Sequence, residues 1–456
     1  MTAHAPRTKR RALIAGVALL ASGFLPAVPT AHAAGLNAGG EFHPLPPTRI
    51  FETASAPVDS GAGGTITVPL LGAGGVVPTS GTEVLAVLAN ITVDRAPSAG
   101  YLSSYPTGVA DPGSSNLNFQ AGRPVGNVAL LRPGADGSTT LKLVAGGPGT
   151  ARVLVDVFGW ISSSSYTTPG GRLISTAPSR ILDTRSPSDT PVGAGSTIEL
   201  QVRGAGLWPG GATVVPNDPS ITGVVLNLTV DNARQDSADT YVSVLQEAPS
   251  GPPSTSNVNV TKGLAKANLV FSPIAPDGKV RIYNFAGSTN VIVDVLGYFR
   301  SGADPATRAG RVVPLDSSFR ALDTRPTPLQ ANRVEDWDFA PFIESVKICD
   351  TDAQPTCDRT NIQTLGVSPG PIGSLIANLT GTALERQYAG VPVTTYLTVY
   401  PSDSARPEAS NVNFGEGIDV PNMAVVKLSA DKKIRVFNAF GNANYILDVA
   451  AVVLSD

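Results

Sequence analysis

The stretch Gly171-Arg-Leu-Ile-Ser-Thr-Ala-Pro-Ser-Arg180-Ile-Leu-Asp-Thr-Arg185 decides the architecture, because the chain contains it three times. Its core returns as Arg320-Ala-Leu-Asp-Thr-Arg325 and, altered, as Arg49-Ile-Phe-Glu-Thr-Ala54. The leading arginines lie 131 and then 140 residues apart. Three further elements follow each copy in the same order. The first is Leu88-Ala-Asn-Ile-Thr-Val93, Leu226-Asn-Leu-Thr-Val230 and Ile376-Ala-Asn-Leu-Thr380. The second is Ser115-Asn-Leu-Asn-Phe119, Ser256-Asn-Val-Asn-Val260 and Ser410-Asn-Val-Asn-Phe414. A further Asn stands 11 residues beyond the first Asn of each: Asn127, Asn268 and Asn422. Each copy closes on an apolar run, ending at Trp160, Phe299 and Val453. Ordered recurrence of this kind establishes a triplication.

Units this long exceed a solenoid repeat of roughly 20 to 50 residues. Each can own a core, since a domain of this size buries about two-thirds of its unfolded surface. The segments 162–171 and 301–305 have the Ser, Gly and Pro content of linkers. Expected boundaries are 36–162, 171–300 and 310–456. Val224, Leu226, Leu228 and Val230 alternate with Val225, Asn227, Thr229 and Asp231, a strand period with one polar-leaning face. Asp136-Gly137 and Asp277-Gly278 between apolar runs read as hairpin turns. The expectation is all-β, with three tandem β-sandwich-like domains of about 130 residues behind an N-terminal signal.

Residues 1–33 read as that signal: Arg7, Lys9, Arg10 and Arg11, an apolar run from Ala12 to Leu25, then Ala31-His32-Ala33. Its removal leaves 423 residues, takes the formal charge from −3 to −7 and leaves His43 as the one histidine. A Ser-His-Asp or Cys-His centre needs an imidazole, and a His/Cys metal site needs several ligands. An acidic chain with scattered arginines also speaks against nucleic acid. No later apolar run reaches the roughly 18 residues of a membrane span. Gly and Pro number 47 and 39, while 42% of residues are apolar, a balance of turns and cores rather than disorder. Cys349 and Cys357, close together in an exported chain, are expected to form one local disulfide. Their acidic loop lacks the glycine and distal glutamate of a calcium loop, so no metal is expected there.

The combination of Arg-x-Leu-Asp-Thr-Arg, Ser-Asn-x-Asn-Phe, the following Ala-Asn and a closing Val-Asp-Val-x-Gly-Tyr-Phe resembles a repeat domain of exported, poorly characterised actinobacterial proteins. The resemblance covers nearly the whole chain after the signal and is fullest in copy two. Copy one departs at Glu52-Thr-Ala54, and copy three loses the closing Gly-Tyr-Phe and carries the insert 326–374. What the resemblance implies is export and architecture, with no activity attached.

Two carboxylates recur per copy: Glu52, Asp183 and Asp323 near the start, and Asp156, Asp294 and Asp448 in the closing run. They could form a glycosidase pair. A buried lone charge such as Asp294 would be strongly destabilising, however, and Arg49, Arg180 and Arg320 recur as faithfully. The expectation is therefore structural pairs, Arg49 with Asp156, Arg180 with Asp294, and Arg320 with Asp448. In a strand, Asn116 and Asn118 share a face, as do Asn257 with Asn259 and Asn411 with Asn413. Beside Tyr241 and Tyr396 these amides could read sugar hydroxyls, or they could bond backbone in turns. The N-x-T sequons at Asn90, Asn227, Asn259 and Asn378 follow from strand alternation and give little support to glycosylation.

The expected protein is non-catalytic and takes no cofactor. It is secreted, or held at the cell surface without a covalent link. It serves as an interaction or adhesion scaffold through loops of its repeats, with an unidentified protein or polysaccharide as partner. A carbohydrate-binding array is the alternative, and a carboxylate-based hydrolase the less favoured third.

Overall fold

The structure is a computed structural model and describes residues 39–61, 63–163, 166–303, 307–343, 372–385 and 394–455. The expected signal, Cys349 and Cys357 lie outside the described residues. The first repeat forms β1 (Phe42–Val58), β2 (Gly64–Pro69), β3 (Val84–Asp94), β4 (Gly100–Pro106), β5 (Leu117–Phe119), β6 (Val125–Leu131), β7 (Ser138–Ala145) and β8 (Gly149–Ser162). The second forms β9 (Arg172–Asp183), β10 (Ser196–Gln201), β11 (Ile221–Asp231), β12 (Thr240–Leu245), β13 (Val258–Val260), β14 (Ala265–Pro273), β15 (Lys279–Asn284) and β16 (Asn290–Arg300). The third forms β17 (Val312–Asp323), β18 (Arg333–Asp338), β19 (Ile372–Glu385), β20 (Thr394–Pro401), β21 (Val412–Gly415), β22 (Val420–Lys427), β23 (Lys433–Asn438) and β24 (Asn442–Leu454).

These strands make six four-stranded sheets, two from each repeat and in matching order. One sheet of each repeat runs β1-β8-β3-β6, β9-β16-β11-β14 or β17-β24-β19-β22. The other runs β2-β7-β4-β5, β10-β15-β12-β13 or β18-β23-β20-β21. The chain therefore alternates between the sheets of its repeat, and among the described strands adjacent in sequence only β4–β5, β12–β13 and β20–β21 pair with each other. The hairpin expectation at Asp277-Gly278 is corrected accordingly. Gly278, at φ 85°, turns the chain from β14 in one sheet to β15 in the other.

Three tandem β-sandwich-like domains do not describe the protein either. It is one six-bladed β assembly of small sheets, and the finding that overturns the tandem picture is a core belonging to no single repeat. Each repeat has its own cluster, for example Val87, Leu102, Leu141 and Val155 in the first. A fourth cluster joins Phe42, Leu88 and Phe158 to Leu269, Leu296 and Phe299 and to Ile376, Met423 and Val453, so all three repeats bury one face against each other. The strands involved are apolar on both faces: β11 is buried at nine and β16 at ten of their eleven positions. Such strands need cover on two sides, which an isolated bead cannot provide.

A bulge supplies part of this contact. In the pairing of β11 with β16, Val225 faces Gly297 and Leu226 faces Val295, so Leu296 is skipped and joins the shared core. The same shift in β8 delivers Phe158. Backbone bonds close the ring at one end. Phe42 N donates to Gly171 O at 2.8 Å, Leu173 N to Gly310 O at 2.8 Å and Val312 N to Gly40 O at 2.8 Å.

Candidate binding site between the three repeats

Cross-strand register places each recurring arginine opposite the aspartate of the closing strand. Arg49 Nε donates to Asp156 Oδ1 at 2.8 Å, Arg180 Nε to Asp294 Oδ1 at 2.9 Å and Arg320 Nε to Asp448 Oδ1 at 2.9 Å. The same guanidinium groups reach the second carboxylate of each copy, Glu52 at 3.2 Å, Asp183 at 3.1 Å and Asp323 at 3.7 Å. Burial pushes Asp294 up to about 6, against the pull of Arg180, and raises Asp156 and Asp448 as well. With Asp294 at 0% exposure and both carboxylates held on one cation, no substrate can stand between them. His43 is stacked on Trp160 at 4.4 Å, and burial lowers it to about 4.

The paired asparagines part company. β5, β13 and β21 begin one residue after the first Asn, so Asn116, Asn257 and Asn411 stand outside the strand alternation. Their side-chain oxygens accept from Ser104 N at 2.7 Å, Val244 N at 2.6 Å and Val399 N at 2.7 Å. That is turn-fixing work of the usual Asn kind.

A second set of amides, not anticipated as a site, ties the repeats together. Asn90 Nδ2 donates to Ser256 O at 3.0 Å, Asn227 Nδ2 to Ser410 O at 2.5 Å and Asn378 Nδ2 to Ser115 O at 2.8 Å. Asn268 Nδ2 donates to Asn90 Oδ1 at 3.1 Å, Asn422 Nδ2 to Asn227 Oδ1 at 2.8 Å and Asn127 Nδ2 to Asn378 Oδ1 at 3.0 Å. The order runs from repeat one to two to three and back to one. Asn90, Asn227 and Asn378 are buried, which closes these sequons to a glycan in the folded chain.

The second asparagines meet elsewhere. Asn118, Asn259 and Asn413 all line one cavity of about 440 Å³ to which every repeat contributes. Asn118 Oδ1 is buried there without a partner. Asn259 and Asn413 each donate to the Ser three residues earlier, Ser256 Oγ at 3.0 Å and Ser410 Oγ at 3.1 Å. Each of the three lies opposite a tyrosine in register, Tyr101, Tyr241 or Tyr396. Only Tyr396 of these lines the cavity, beside Phe440 at 6.4 Å between ring centres. Tyr241 instead stacks on Phe285 at 4.7 Å and donates to Pro253 O at 2.9 Å.

Leu264, Ile418, Phe414 and Val420 give the cavity an apolar bed, and Gln120, Arg123, Lys266, Asp231 and Asp419 add polar groups. Burial pushes the half-covered Lys266 ammonium down to about 7. A few placed polar groups over an apolar floor, in a volume of this order, are the usual make-up of a small-ligand site. Several of these residues fall between Ser-Asn-x-Asn and the further Asn, at 120–125, 261–266 and 415–420, where the copies carry different side chains between matching elements. That divergence was the available signal. Among the described residues no three His, Cys, Asp or Glu side chains are grouped to hold a metal ion, and no helix is long and apolar enough to cross a membrane.

No protein-family model and no curated protein matches the chain. Among solved structures, similarity is found to the N-terminal CBM22-1–CBM22-2 tandem domain of Xyn10C from Paenibacillus barcinonensis, at 11% identity and a TM-score of 0.17, covering 58% of this chain and 95% of that one. A triple jelly roll protein of an archaeal virus turret matches at 8% identity and a TM-score of 0.16, over 91% of this chain and 90% of that one. A chain of Sulfolobus Turreted Icosahedral Virus matches at 8% identity and a TM-score of 0.16, over 91% of both. At such TM-scores these likenesses carry no argument about this chain.

Proposed function

We propose that the protein is an exported, non-catalytic binding protein that takes a carbohydrate in the cavity between its three repeats. The observation that carries this reading is the meeting of Asn118, Asn259, Asn413 and the Tyr396 ring on one cavity of about 440 Å³. Amides both donate to and accept from hydroxyls, and an aromatic face covers the apolar side of a sugar ring. Export rests on the signal-like residues 1–33. Absence of catalysis is supported by the recurring carboxylates being closed off on their arginines.

An adhesion scaffold of tandem repeats gains avidity only where its repeats are spaced to match separate ligands. Repeats locked in one ring offer no independently spaced modules, so the shared cavity is the better-supported site. Isothermal titration of the whole chain against soluble oligosaccharides tests the proposal. Saturable binding is expected, weakened roughly tenfold or more in Asn413→Ala and Tyr396→Ala with melting unchanged. Absence of binding across the panel, or variants that bind like the parent, would refute it.

A further inference from the structure

We infer that the occupant of this cavity is an acidic saccharide, its carboxylate received by Arg123 and Lys266 while its hydroxyls meet the three asparagines. The inference rests on the carbohydrate reading above and narrows it.

Four charged side chains line the cavity: Arg123, Lys266, Asp231 and Asp419. The two acids already have partners that do not line it. Asp231 Oδ2 lies 3.4 Å from Arg185 Nη1. Asp419 accepts from the Thr382 hydroxyl and stands in the field of Arg325. Arg123 and Lys266 have no ion pair or hydrogen bond with any described residue. Among the described residues, the cavity therefore presents two basic side chains without a counter-charge in contact.

The repeat pattern does not demand these cations. The position of Arg123 is held by Leu264 and Ile418 in the other copies, and that of Lys266 by Val125 and Val420. All six lie on the cavity wall, so the architecture is satisfied by aliphatic side chains there. Packing lowers the Lys266 ammonium, so holding its charge without a partner costs stability. A bound carboxylate offsets that cost and can engage the Arg123 fork with two parallel bonds. The Asn118, Asn259 and Asn413 amides and the Tyr396, Phe414 and Phe440 rings of the same lining favour a ring bearing hydroxyls over a bare anion.

The test titrates the full chain with trigalacturonic acid, its methyl ester and neutral maltotriose. The acid is expected to bind roughly tenfold or more tighter than the ester. Lys266→Met and Arg123→Met should each weaken binding of the acid far more than binding of the ester, and Lys266→Arg should restore the preference. Equal binding of acid and ester overturns the inference and leaves the carbohydrate reading standing. Failure of all three probes, with no other sugar binding, removes both.

Discussion

Asn268 of the second repeat donates through Nδ2 to Asn90 Oδ1 of the first at 3.1 Å, joining residues 178 apart in the chain. Asn422 with Asn227 and Asn127 with Asn378 repeat the contact. Each repeat thus offers a donor to one neighbour and an acceptor to the other, a head-to-tail interface that closes at three. Asn268 also donates to Asn257 O at 2.6 Å and accepts from Val128 N at 3.4 Å. Asn268→Leu leaves these buried groups unpaired, at about 1–3 kcal/mol each where no water reaches them. Urea unfolding should show a loss of several kcal/mol. A loss below about 0.5 kcal/mol, the scale of an ordinary surface change, would mean the ring carries little weight.

The shared core makes a distinct prediction about cooperativity. Phe299 stacks on Phe42 of the first repeat at 4.3 Å and is 1% exposed. Phe299→Ala is expected to cost about 3–5 kcal/mol. Hydrogen exchange should record the loss in the first repeat as well as the second, because the cavity opens between them. Protection lost only within 172–300 would show that the repeats are energetically separate after all.

The strands themselves were legible, and the partners of their faces were not. The alternation through Val224–Asp231 tells which side chains share a face, but a period of two does not say what that face meets. Asn227 and Thr229 looked like the polar side of a half-exposed sheet, yet they are 0% and 5% exposed. The contrary signal lay in Val291–Phe299, apolar on both faces with one polar position at Asp294, which asks for cover on two sides. The site was half legible for a similar reason. Alternation grouped Asn257 with Asn259, but β13 begins at Val258, so one amide fixes a turn and the other reaches the cavity. That Lys266 would join it depends on strands from different repeats meeting, which no local pattern encodes.

Removing the partner of Asp294 should produce a pH-dependent defect. Asp294 is raised by burial to about 6, above its unfolded value of 3.8, so its contribution to stability is fully present below pH 3.8 and lost as pH rises through 6. Arg180 limits that loss. In Arg180→Ala the carboxylate is buried with no cation, at a cost of about 3–5 kcal/mol near neutral pH. Acidification to pH 5 protonates it, and the gap to the parent protein should shrink. Chemical denaturation at pH 5 and pH 7.5 reads this directly; an equal deficit at both would show that Arg180 acts through packing alone.

Lys266 gives the opposite slope. Its unfolded value is 10.5 and its folded value about 7, so between those limits the unfolded chain holds a proton that the folded chain has released. Stability on its account therefore rises as pH climbs from 7 to 10.5, and at pH 6 the charged ammonium is a standing cost. Lys266→Met should raise the melting temperature at pH 6 and flatten the rise above pH 7. A saturating acidic ligand should do the same to the parent protein by holding the ammonium charged, with proton uptake on binding at pH 8 measurable by calorimetry in two buffers of different ionisation enthalpy. A variant melting profile parallel to the parent's across pH 6 to 9 would show that Lys266 stays charged throughout and is not desolvated by the cavity.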